Sequence, residues 1–337
     1  MLRALAIAVE RRKVFAQVRG TEGVDIPWEY MSMRVILRPH DSPSRFLGAA
    51  HKPLDPPPGS TLPNYLADPH YRADFEEARD FGALARGPRT AEQQRIGVYW
   101  GYDGANNLGV PPRLYNQVAR AIVLGRAPGL NLRRMAELFA VLNVAMADAG
   151  IDCWHHKYAY DLWRPVVGVR AEAAPDGDPF WAPLGLPLTN SARGTLTPPF
   201  PAYPSGHATF CAALLQALRL GLGTAPAPMT VHEVLDVESG NSAPISDETF
   251  TFVSDELDGV ALDPDGSIRQ RVEKTFANFA EAVWENSVSR VYLGVHWRFD
   301  GLPRAASDLI GGVPLGLAVG EEAHAFFDAA PSLGGSV

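Results

Sequence analysis

Residues Pro198 to Leu218 read PPFPAYPSGHATFCAALLQAL. Proline-rich chain leads up to Ser205, and beyond it an apolar, breaker-free run follows, so a helix is expected from about 205 to 222 with Ser205 as its N-cap. A helix start presents free backbone N–H groups and the positive end of the macrodipole, which together favour an anion. Gly206 lets such a ligand approach the backbone closely. His207 enters the same space and can exchange a proton. An ordinary capped helix with an incidental histidine would look the same from these residues alone.

Upstream, a long helix is expected from about Leu130 to Arg164, because Met135, Leu138, Leu142, Val144 and Met146 recur at burial spacing. Its end, KYAYDLWRP (Lys157 to Pro165), carries Lys157 and Arg164 seven residues apart. Two helical turns would put both cations on one face, with Trp154 one turn before Lys157. Pro165 disfavours helix at Arg164 and ends the element there. A Lys and an Arg at this spacing are, taken alone, equally a solvated surface.

Downstream, SRVYLGVHWRFDG (Ser289 to Gly301) closes a helix at Arg290, stops it at Gly294 and places His296 just beyond. Asp300 is positioned to accept a proton from one ring nitrogen of His296 and fix its tautomer. A buried Arg–Asp pair with a packing histidine would also satisfy the segment.

Around these three segments the chain reads as helices joined by Pro/Gly-rich loops. Thr90 with Gln93 makes a capping box, and Pro112 suits a first helical turn. Further helices are expected near 268–293 and 305–329. The fold class is therefore all-α, a helical bundle with one short hairpin at TFTFV (Thr249 to Val253). Residues 1–89 read as an irregular arm or wrapping segment: DPPPGSTLP (Asp55 to Pro63) has no periodicity, and MRVILR (Met33 to Arg38) alone hints at a strand. Residues 90–337 form the main domain, with 223–267 an insertion, read as an exposed loop or lid, in which DPDG (Asp263 to Gly266) is a turn.

The 337 residues are 46% apolar and 20% charged, the balance of a globular protein. A formal net charge of −8 argues against nucleic acid as a partner and makes a local cation cluster more telling. The two cysteines, Cys153 and Cys211, read as buried thiols, not a disulfide framework or zinc site. The N-terminal apolar run is too short for a secretory signal, and the stretch from Leu309 to Gly320 is too short to span a bilayer. With neither signal nor span visible, the default compartment is the cytoplasm and no membrane partner is expected.

The order K-x6-RP, PSGH, SR-x5-H-x3-D resembles the signature shared by vanadium-dependent haloperoxidases and the type-2 phosphatidic acid phosphatase superfamily. Within it the chain most resembles vanadium chloroperoxidases, through YWGYDGANNLGVPPRLYNQ, WHHKYAYDLWRP, PPFPAYPSGHATF and SRVYLGVHWRFDG, from about residue 90 onward. The resemblance implies a vanadate cofactor at the +5 state, with no haem and no nucleotide. It implies that Lys157, Arg164, Ser205, Gly206 and Arg290 bind the vanadate oxygens, that His296 Nε2 is the axial vanadium ligand, and that His207 is the acid–base residue. Lys157 would polarise hydrogen peroxide, and halide would be oxidised to hypohalous acid that halogenates a small organic acceptor. Asp103 and Asp300 would support Arg290 and His296, while Trp154 and Phe200 would line the halide side, in the pattern of chloride and bromide oxidation. The same residues serve an acid phosphatase in which His296 forms a phosphohistidine and His207 protonates the leaving group. The chain is short for an enzyme type that pairs two bundles, so a homodimer would supply the missing wall of the access channel.

Overall fold

The computed structural model describes residues 45–47, 50–85, 87–101, 110–126, 129–173, 175–185, 197–198, 200–262 and 266–329. Its helices are α1 (Pro69–Phe81), α2 (Ala91–Tyr99), α3 (Pro111–Arg126), α4 (Leu132–Tyr160), α5 (Pro165–Ala171), α6 (Gly206–Leu222), α7 (Val231–Glu238), α8 (Phe279–Tyr292) and α9 (Gly312–Ala329). One antiparallel hairpin pairs β1 (Phe250–Val253) with β2 (Glu273–Phe276). The fold is the expected helical bundle. Among the described residues no helix is long and apolar enough to cross a membrane.

The PSGH helix, α6, is the centre. Every residue from Gly206 to Arg219 is buried, and α3, α4, α8 and α9 all pack on it. The closest approach is by α9. A Cβ at Gly312, Gly316 or Gly320 would lie 2.3–2.5 Å from the carbonyl oxygens of Ser205, Thr209 and Ala213 respectively. Glycine every four residues, one face of the helix, is what lets the two backbones touch. Cys153 and Cys211 are both free and buried in this packing.

Several expectations are corrected. The long helix α4 ends at Tyr160, not Arg164. Asp161 adopts the left-handed conformation (φ 51) and its N–H caps Lys157 O, while Pro165 opens α5 and holds Arg164 extended as its N-cap. Lys157 and Arg164 therefore do not share a helix face.

The helix expected over 268–293 begins only at Phe279, after Asn278 caps it by accepting from Glu281 N; the residues before it form β2. The last helix begins at Gly312 rather than near 305, after the positive-φ Gly311.

The segment before residue 90 is not wholly irregular. Asp68 accepts from His70 N and Tyr71 N, and Pro69 takes the first turn of α1. This signal lay hidden among breakers on its N-terminal side. The expected strand at Met33 to Arg38 lies outside the described residues.

Finally, the segment 223–267 keeps many exposed residues, as expected of an insertion, but it is not a bare loop and part of it packs into the core. It contains α7 and β1, buries Phe250, Phe252 and Leu257 in the main core, and hydrogen-bonds to α2 through Tyr99 Oη to Phe252 O (2.7 Å) and Ser254 Oγ to Tyr99 O (2.6 Å). The expected hairpin strand is there, but its partner is 273–276, outside the segment. The turn at Asp263 to Gly266 falls mainly outside the described residues.

Candidate active site

Lys157, Arg164, Ser205, His207, Arg290, His296 and Asp300 are all buried and converge on the N-terminal end of α6. Lys157, in the last turn of α4, donates from Nζ to Pro201 O (2.8 Å) and Ala202 O (2.9 Å). Its ammonium lies over the Phe200 ring (5.1 Å) and the Trp154 ring (5.5 Å). Arg164 also lies over the Phe200 ring, 4.9 Å from its centroid, and donates to Phe200 O (2.9 Å) and Val295 O (2.7 Å). Both cations, carried by different elements, thus contact the one Phe200 ring. Trp154 and Phe200 rings are 5.0 Å apart.

The turn after α8 supplies His296. Gly294 (φ 69) makes the reversal, and a side chain there would collide with Gly82 O. Asp300 Oδ2 lies 2.7 Å from His296 Nδ1 and accepts from Trp297 N at 3.0 Å. Arg164 Nη1 lies 2.8 Å from His296 Nε2. A guanidinium can only donate, so Nε2 is the acceptor and Nδ1 carries the proton that it gives to Asp300. The imidazole is therefore held neutral, with the Nε2 lone pair turned into the cation cluster. Burial first, then Arg164, Lys157 and Arg290, push its pKa well below the usual histidine value. Burial raises Asp300 to about 7, against the pull of Lys157 and Arg164.

Ser205 caps α6 through Oγ, which accepts from Ala208 N, and its own N–H donates to Asp300 O at 2.6 Å. That bond ties the helix start to the His296 turn. A side chain at Gly206 would be tight, since a Cβ would sit 3.1 Å from the Trp154 ring. His207 hydrogen-bonds the Gly101 backbone, and its pKa is pushed well down by burial and then by Arg290. Arg290 Nη1 donates to Gly101 O at 3.4 Å, so both groups meet at one carbonyl. Asp103 lies outside the described residues.

Lys157 records the local field. Its pKa is pushed down to about 7, first by burial; Cys153 and Asp300 oppose the shift, while Arg164 and Arg290 add to it. Like charges this close in a buried site create a strong positive potential. Among the described residues no cluster of three or more His, Cys, Asp or Glu side chains could hold a bare metal ion.

Two supports were not legible in the sequence. Helix α1 stacks Tyr71 and Phe75 on Trp297 (5.4 and 5.9 Å), and buried Asp74 accepts from Phe299 N at 2.8 Å, so the early segment braces the His296 turn. Tyr203 donates to Asp55 O (2.6 Å) and accepts from Gly311 N (3.2 Å), pinning the loop before Ser205. The Asp68–Pro69 pair was the one available signal for the first; nothing local marked the second.

A family model described as the VCPO second helical-bundle domain matches residues 137–330. The vanadium chloroperoxidase of Curvularia inaequalis is 37% identical over 282 residues, 73% of this chain and 44% of that enzyme. The chain thus spans less than half the length of the curated relative it matches. Among solved structures, a bacterial vanadium-dependent iodoperoxidase shares the fold with a TM-score of 0.52 at 21% identity, over 82% of this chain and 52% of that one. The holo form of a bacterial vanadium-dependent chloroperoxidase gives 0.50 at 17% identity, over 77% and 47%. The chain belongs to the vanadium chloroperoxidase second helical-bundle family.

Proposed function

We propose that this chain is a vanadate-dependent haloperoxidase that uses hydrogen peroxide to oxidise halide, chloride and bromide included, and so halogenates a small organic acceptor. Residues 90–337 are the catalytic unit, and the segment before them wraps and braces it. The observation that carries the reading is the buried cluster of Lys157, Arg164 and Arg290 whose charges act on His296, with Arg164 donating to its Nε2.

The donor set fits vanadate. With no multi-residue metal cage among the described residues, a metal delivered as an oxyanion needs one nitrogen ligand and many donors to its oxygens. His296 supplies the nitrogen; Lys157, Arg164, Arg290, Ser205 and the Gly206 N–H supply the donors. Vanadate bound there supplies Lewis-acid activation of peroxide without a change in its own oxidation state.

The remaining work belongs to the protein. His207 removes a proton from incoming peroxide. A bound anion would offset Arg290, Arg164 and Lys157, which depress His207, and so raise its basicity toward the working range. Lys157 stays protonated for the same reason and polarises the peroxide oxygen. Asp300 holds the His296 tautomer. Trp154 and Phe200 exclude water from the side where halide arrives.

The test is direct. Purified protein is incubated with orthovanadate and assayed with peroxide, bromide or chloride and a phenol-type acceptor. Vanadate-dependent halogenation is expected. Its absence, together with robust p-nitrophenyl phosphate hydrolysis, would transfer the site to phosphoryl chemistry through His296.

A further inference from the structure

Away from the oxyanion donors, three helices meet at one buried hydroxyl. Tyr115 of α3 donates from Oη to the backbone oxygen of His207 at 3.0 Å. Asn286 of α8 donates from Nδ2 to the same Tyr115 hydroxyl, also at 3.0 Å. Tyr115 and Asn286 are both essentially fully buried. The polarity of the chain is forced: a carbonyl can only accept, so the tyrosine donates to it and must receive from the amide. Neither contact touches the His207 ring.

We propose that Tyr115 and Asn286 are a positioning pair for His207, setting where its imidazole stands relative to Arg290. The geometry gives the pair this reach. Asn286 lies one helical turn before Arg290 on α8, and His207 is the second residue of α6. The hydroxyl bridge therefore locks the acid–base residue's backbone to the helix that carries Arg290, which meets His207 at the Gly101 backbone. A proton acceptor displaced by a fraction of an ångström loses its alignment with the reacting hydrogen, while ligand held by His296 and the other donors stays in place. The inference rests on His207 acting as the proton acceptor, and its test is arranged to be read without turnover.

Tyr115→Phe keeps the ring packing and removes the bridge. In full-length protein with labelled histidine, the His207 imidazole resonances, assigned by their loss in His207→Gln, should move while those of His296 stay within error. Vanadate affinity should change less than about threefold, and kcat should fall about tenfold with KM for peroxide and bromide nearly constant. Combined with His207→Ala, the same substitution should cause no further loss, the signature of one residue acting through another.

An unmoved His207 resonance, an equal movement of His296, or an undiminished effect in the His207→Ala background would overturn the assignment. Should Tyr115→Phe fold poorly, Asn286→Leu, which leaves the Tyr115–His207 bond intact, should give a smaller shift in the same direction; no shift there would also overturn it. If wild-type protein shows no turnover, the proposed function fails, and the resonance measurement still decides the positioning pair.

Discussion

Arg219 and Lys157 are both buried on helices of the same bundle, and their surroundings are opposite. Arg219, near the C-terminal end of α6, meets Glu248 with two bonds of 2.6 and 2.9 Å and Glu233 at 3.0 Å. Burial works against its charge, and these carboxylates outweigh that, raising its pKa. Lys157, in the last turn of α4, is bonded to two backbone carbonyls and sits beside Arg164 and Arg290, and its pKa falls to about 7. At one end of the core, folding alone balances the charge. At the other, charge is accumulated at a cost to the folded state, and under the proposed function the oxyanion balances it. Stability and ligand binding are thus assigned to different buried cations, and measurements on each should separate.

The largest expected effect is at His296, the proposed ligand of the central atom. His296→Ala should abolish vanadate binding, read by vanadium NMR or calorimetry, whereas His207→Ala should retain binding and lose about 10²–10⁴ in turnover. Normal vanadate binding by His296→Ala would remove His296 as the ligand.

Next comes the contrast itself. Arg219→Met leaves Glu248 buried without its main partner and should cost about 3–5 kcal/mol in denaturant unfolding, with vanadate affinity unchanged. Lys157→Met should do the reverse: weaker vanadate binding by at least about tenfold and no loss of stability at neutral pH. The pH dependence distinguishes them further. Because the folded pKa of Lys157, about 7, lies below its unfolded value, the unfolded chain binds the extra proton between the two. Ligand-free stability should therefore rise with pH above about 7 until the unfolded lysine titrates. Saturating vanadate, or Lys157→Met, should flatten that rise. A slope unchanged by Lys157→Met would place the titrating group elsewhere.

The smallest effect is expected at the rim. Phe200→His should alter the ratio of chloride to bromide turnover several-fold while sparing vanadate affinity, measured by parallel halide titrations. Equal losses for both halides would leave Phe200 only its contacts with Lys157 and Arg164.

Much of the site was legible because its parts are local motifs. An N-cap serine before an apolar run, a glycine stop after Arg290 and a carboxylate four residues from His296 are read from spacing, since helix geometry fixes neighbours within a turn. The Lys157–Arg164 pair was legible as a pair but misplaced as a helix face. A left-handed Asp161 ended α4 early, and aspartate carries that conformation too rarely for spacing to reveal it. The helix at 69–81 was hidden by its proline-rich approach, and the packing of Phe250, Phe252 and Leu257 from 223–267 depended on core partners that lie elsewhere in the sequence.

By itself, the sequence determined that this is a helical bundle and which side chains carry cationic and proton-exchanging chemistry, because periodicity, caps and residue chemistry are properties of short segments. Only the tertiary structure decided that Lys157 and Arg164 both contact the Phe200 ring, that His296 presents Nε2 and not Nδ1, and that Tyr115 and Asn286 reach His207. Each of those depends on groups brought together from separate helices, and on burial that makes their charges felt.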